Sequence, residues 1–141
     1  MQLNYSSKAQ ISEYVNRNRL YGVMNTSKWN RLFESLADID ELITFKAVYI
    51  DGFTWPSKDE SWQFTPELEQ IWGNFAALEY LEINTQVISE RGALISPQIT
   101  DYKSKVATLC SQQKVKYSFF DKGIRVWGYF RHGQEPELIP T

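Results

Sequence analysis

The sequence predicts an α+β fold, with a largely antiparallel sheet of about four to six strands carrying two N-terminal helices and one later long helix. Three observations lead there. Two amphipathic stretches with capping residues precede residue 40. Runs rich in β-branched and aromatic residues occupy 42–50, 78–88 and 115–130. Helices and strands are segregated instead of alternating strictly, as parallel βαβ units would require.

Each element has a local reason. Ser7 and Gln10 have the spacing of a capping box, and Ile11, Tyr14 and Val15 line one face of a short helix fading near Gly22. A second helix begins around Asn25–Ser27, where Trp29, Leu32, Phe33, Leu36 and Ile39 recur at helical spacing. From Leu42 to Ile50 the composition turns to strand. Asp51-Gly52 marks a turn, and Phe53-Thr54-Trp55 begins a returning strand. Residues 56–61 form an exposed loop, with a short strand or more loop at Trp62–Phe64. Pro66 suits the first turn of a helix running to about Gly73. Leu78 to Ile83 is a strand, imperfectly alternating with Glu79 and Glu82, which Val87-Ile88 extends. Ser96-Pro97 signals a helix whose inner face carries Ile99, Tyr102, Val106, Leu109, Cys110 and Gln113. Val115–Phe120 and Ile124–Phe130, joined by Asp121-Lys122-Gly123, read as a hairpin.

A chain of 141 residues is the size of one domain, with loose termini expected at 1–5 and 132–141. Such a chain buries roughly two thirds of its unfolded surface, so it needs no disulfide or metal staple. Cys110 is the single cysteine, which excludes an internal disulfide and a cysteine-based zinc site. Residues 1–5 lack a basic segment followed by an apolar run, and no stretch approaches the roughly 18 apolar residues of a membrane span. The expectation is a cytoplasmic protein with no membrane partner.

Net charge is −2, unevenly spread. Residues 34–69 hold nine acidic groups against Lys46 and Lys58, whereas 1–31 and 101–133 are basic on balance. Gathered on one surface, the acidic third speeds encounter with a basic partner; dispersed, it is a solvated face.

Catalytic groups are sparse. His132 is the only histidine, beside the tail, and Cys110 falls on the apolar face of a helix, where a thiol packs. Asp38, Asp40 and Glu41 form an acidic cluster of the kind usually turned to solvent. No glycine-rich phosphate loop, dinucleotide motif or EF-hand spacing occurs. The sequence therefore predicts no enzyme, no cofactor and no metal. Nucleic-acid binding is the physical competitor: Lys103, Lys105, Lys114, Lys116, Lys122, Arg125 and Arg131 interleave with Tyr117, Phe119, Phe120, Trp127 and Tyr129. A pI near 5.4 argues against a dedicated binder of that kind.

Three stretches carry a resemblance. They are Met24-Asn25-Thr26-Ser27-Lys28-Trp29, the middle from Trp62 to Leu78-Glu79-Tyr80-Leu81-Glu82-Ile83, and Gly123-Ile124-Arg125-Val126-Trp127-Gly128-Tyr129. Across residues 23–131 the chain resembles a family of small bacterial proteins of unknown function. That family opens on an Asn-x-x-Lys-Trp helix, has a Trp-rich middle and closes on a Gly-x-Arg-Val-x-Gly-Tyr strand. Small orphan proteins of this type resemble immunity proteins of polymorphic or contact-dependent growth-inhibition toxin systems. The resemblance thus implies a cognate toxin as partner, with a basic nuclease domain fitting the acidic third. It transfers no catalytic residue. On that reading the partner-binding candidates are Asp51, Asp59, Glu60, Glu67 and Glu69 as steering charges, with Trp55 and Trp62 as aromatic anchors. Both tryptophans suit core packing equally, and Glu67 and Glu69 also suit a helix start.

Overall fold

Asn25 opens the helix around which the core is built. In the computed structural model, which describes residues 7–73 and 75–140, its side chain accepts from the Lys28 amide and starts α2, Thr26–Ala37. The 3.6-residue rhythm read from the sequence then puts Trp29, Leu32, Phe33 and Leu36 on one buried face. Phe33 meets Phe75 and Trp72 edge-on, at centroid separations of 5.0 and 5.5 Å, so the aromatic wealth of the chain goes largely into this core.

The fold is α+β. Strands β2 (Thr44–Tyr49), β3 (Thr54–Trp55), β4 (Gln63–Phe64), β5 (Leu78–Asn84), β8 (Tyr117–Phe120) and β9 (Gly123–Trp127) form one sheet in the order β3-β2-β5-β9-β8. Strand β4 also pairs with β2, and every pairing in the sheet is antiparallel. Phe45, Ala47, Tyr49, Leu81, Ile83, Ile124, Val126 and Tyr117 alternate onto one face and join the core of α2 and α3 (Lys103–Gln112). The opposite face carries Lys46, Glu82, Arg125 and Ser118 in one cross-strand row.

Helix α1, Lys8–Arg17, has the full Ser7–Gln10 capping box expected of it. It ends at Arg17, earlier than Gly22, because Leu20–Gly22 forms β1 and pairs with β10, Tyr129–Arg131. The single strand expected over Ile124–Phe130 is therefore two. At Gly128 the chain leaves the large sheet, where β9 pairs with β5 and β8, for a ribbon with β1. Pro66 does open a helix, but it is a 3₁₀ helix over Thr65–Gln70 that stops short of Gly73.

The segment after β5 departs most from expectation. Val87-Ile88 does not prolong β5, and Ser96-Pro97 does not begin a helix. Instead β6 (Gln86–Ser89) and β7 (Gln98–Asp101) form a separate antiparallel hairpin, with Ile88 opposite Ile99. Ile99 is accordingly 62% exposed, not on the inner face of a helix. Helix α3 begins only at Lys103, whose amide donates to the Asp101 carboxylate, and buries Val106 and Cys110. Pairing with residues a dozen positions upstream overrides the local capping signal. Of the termini expected to be loose, residues 1–5 lie outside the described residues. In the C-terminal one, the Ile139 amide donates to the Tyr117 carbonyl and Ile139 packs on the core.

Candidate functional site

The acidic candidates follow one stretch of chain along the β2 edge, since β3 and β4 both pair with that strand. Asp51 sits in the β2–β3 turn, where its carboxylate accepts from the Phe53 amide at 3.0 Å. Asp59 and Glu60 are exposed in the following loop, and Glu60 accepts from the Ser57 hydroxyl. Glu67 and Glu69 are exposed on the 3₁₀ helix. Among the described residues, none of Asp59, Glu60, Glu67 and Glu69 forms an ion pair. Elsewhere the acidic third is partly neutralised: Lys105 binds Glu41 at 2.6 Å, and that hydrogen bond holds the Glu41 carboxyl below its usual range. Asp38 and Asp40 are exposed.

The two tryptophans separate. Trp55 is half-buried and stacked on Phe45, with centroids 5.7 Å apart, so it closes the edge of the core. Trp62 reaches the ring of Phe120, 6.4 Å away, although β4 and β8 lie on opposite flanks of the sheet. The two rings thus meet over the face turned away from the helices. There the Arg125 guanidinium lies 4.6 Å from the Tyr80 ring centre, 5.5 Å from Trp127 and 5.7 Å from Phe120. Glu82 holds it at 2.6 Å. Arg125, Phe120 and Trp127 entered the sequence reading only as nucleic-acid candidates, and Tyr80 and Glu82 not as candidates at all. The imperfect alternation of Glu79 and Glu82 in an otherwise apolar strand was their signal.

The same geometry decides what the basic hairpin can do. Arg125 is paired with Glu82, and Arg131 with Glu79 at 2.7 Å while also donating to the Ile50 carbonyl. Tyr117 and Trp127 are buried, and the Trp127 indole donates to the Ser118 hydroxyl. Of the hairpin aromatics only Phe119 is well exposed, and Lys103 lies over its ring.

Cys110 has no exposed surface, and burial pushes its thiol up to about 12, while His132 is exposed beyond β10. Among the described residues no group of three His, Cys, Asp or Glu side chains is placed to hold a metal ion. An open, shallow groove of about 550 Å³ runs along α3 beside Ser104, Thr108, Ser111 and Tyr117, and a cleft of about 80 Å³ beside the start of α2 is lined by Asn25, Trp29, Phe75 and Tyr129. No helix among the described residues is long and apolar enough to cross a membrane.

The residues that carried the resemblance have structural duties here. Asn25 caps α2, Lys28 donates to the Lys114 carbonyl, and Trp29 is buried. A Cβ on Gly123 would overlap the Ile83 carbonyl, and one on Gly128 would overlap that of Leu78. Val126 is core, which leaves Arg125 as the motif residue facing away from it. No curated protein and no solved structure matches the chain. A family model does, over residues 11–133, thereby taking in most of α1 and all of β1, which the three motifs left outside. The chain belongs to that family, a family of unknown function (DUF6678).

Proposed function

We propose that this chain is a non-catalytic protein-binding module, an immunity protein that binds and neutralises a cognate bacterial toxin with a basic nuclease domain. The observation that carries the reading is a set of exposed carboxylates without ion pairs among the described residues, Asp59 and Glu60 in the loop between β3 and β4 and Glu67 and Glu69 on the 3₁₀ helix that follows. Such a set attracts a basic surface and raises the encounter rate. Trp62, half-buried beside it, supplies an aromatic contact. The alternative, nucleic-acid binding by the C-terminal hairpin, draws less support. Both hairpin arginines are engaged by Glu82 and Glu79, and stacking platforms need exposed rings.

The test starts from affinity capture with the tagged chain, with and without nuclease, followed by binding kinetics on the captured protein. The reading expects a stoichiometric protein partner whose toxicity in cells is suppressed by co-expression of this chain. It also expects Asp59→Lys with Glu60→Lys to slow association by roughly tenfold or more at low salt, with little change at high salt. Recovery of nucleic acid alone, or a partner whose toxicity persists, would sink it.

A further inference from the structure

The β6–β7 hairpin is an arm that nothing among the described residues covers. Its two strands form a sheet of their own, so both outer edges lack backbone partners among the described residues. Every residue from Ile88 to Ile99 is exposed. Ile88 and Ile99 face each other across the strands at 63% and 62% exposure, and Leu94 at the tip is 100% exposed beside Ile95. The register brings the arm's root to the sheet end that carries three more exposed apolar residues. Asn84, the last residue of β5, lies opposite Thr44 and Gly123, which in turn lie opposite Phe64 and Phe120. Phe64, Phe119 and Leu42 are all exposed there, so Tyr21 is the one large exposed hydrophobic found elsewhere among those described.

The arm is also built to keep its shape. At the root the Thr85 hydroxyl bonds the Asp101 carboxylate at 2.7 Å, the Tyr102 amide donates to the Thr85 carbonyl, and the Thr85 amide donates to Lys122. At the tip Arg91 donates from Nε and Nη2 to the Ser96 carbonyl. An isolated two-stranded ribbon is marginal in water, and its open edges are templates for another strand. A preorganised ribbon with an apolar face therefore suits addition to a further ribbon.

We propose that this arm pairs with the arm of a second copy of the chain, forming a two-fold dimer through β6–β7. Charge selects that occupant. Between Gln86 and Thr100 the charged residues are Glu90 and Arg91, adjacent and opposite in sign. A strongly basic or acidic partner would be matched by a patch of one sign, and an anionic lipid surface by clustered lysine and arginine. An adjacent plus and minus is instead complementary to itself across a two-fold axis, with each Glu90 facing the other copy's Arg91. The arm lies outside the acidic segment 51–69 that the toxin-binding reading uses, so the two inferences fail separately.

Sedimentation of the intact chain tests it. We expect a dimer at micromolar concentration. Ile88→Thr with Ile99→Thr keeps β-branched side chains in the strands and should weaken association by at least about tenfold. The near-ultraviolet dichroism of the buried tryptophans should be unchanged. Leu94→Asp, at a tip without neighbours to disturb, should weaken it similarly and carries the test if the double variant fails to fold. A monomer at about 100 μM would overturn the proposal. So would a dimer whose strength neither variant changes, or a monomer that floats with phospholipid vesicles through Leu94.

Discussion

At Gly123 and Gly128 the main chain of the hairpin runs against the carbonyls of β5, with no room for a side-chain carbon. The obstacle is backbone on both sides, so it cannot be relieved by a rotamer change. Gly123→Ala should cost about 3 kcal/mol or more, read as a fall in the denaturation midpoint, because β5 and β9 must separate. A second test concerns Arg131, which ties β10 to Glu79 and to the Ile50 carbonyl. Arg131→Met leaves the Glu79 carboxylate, 6% exposed, without its counter-charge. The expected loss is about 2–3 kcal/mol, below the roughly 3–5 of a fully buried pair because the guanidinium is partly solvated. Adding Glu79→Gln should recover part of it. A single variant that unfolds like the parent would show the pair to be dispensable.

Elements differ in how much of their cause is local. The Ser7–Gln10 box and the Asn25 cap act within one helical turn, so α1 and α2 were legible from a few adjacent residues. The arm was not. Ser96-Pro97 has the chemistry of a helix start, yet Gln98–Asp101 pairs with Gln86–Ser89, and no local pattern announces a partner that far upstream. Asp101 does capping duty instead, just ahead of α3. The Thr85 hydroxyl, with help from the Lys103 amide, holds its carboxyl below the usual 3.8. A carboxylate lowered on folding contributes stability that is complete above the unfolded value and fades as pH falls through the folded one. Acidification from pH 6 to about 3 should therefore destabilise the chain, and Asp101→Asn should flatten that limb of the curve. The group is largely exposed, so the change is modest. An identical pH profile in the variant would remove Asp101 from the account.

For the whole molecule, the fold class was legible because periodicity reports which faces are buried, and the antiparallel α+β sheet follows from it. The candidate residues were legible only as types. Segment charge identified the acids, but not that Glu41 is bound by Lys105 while Asp59 and Glu60 stand free of ion pairs. Aromatic content likewise could not show that Trp55 closes the core while Trp62 crosses to Phe120. Those distinctions depend on distant chain segments meeting. The proposed steering by the acidic segment is a property of the summed field, so its signature is salt dependence of the association rate, not loss of one contact.

The seclusion of Cys110 has a practical consequence. Its thiol is the only one in the chain, has no exposed surface and is held protonated by burial well above neutral pH. Alkylating dyes and maleimide crosslinkers act on accessible thiolates, so the native surface is silent to them. A cysteine introduced at Asp59 or at Leu94 would then be the single reactive handle on the folded protein. Labels at those two sites would report on the acidic loop and the arm separately, in the same preparation and without first removing any native residue.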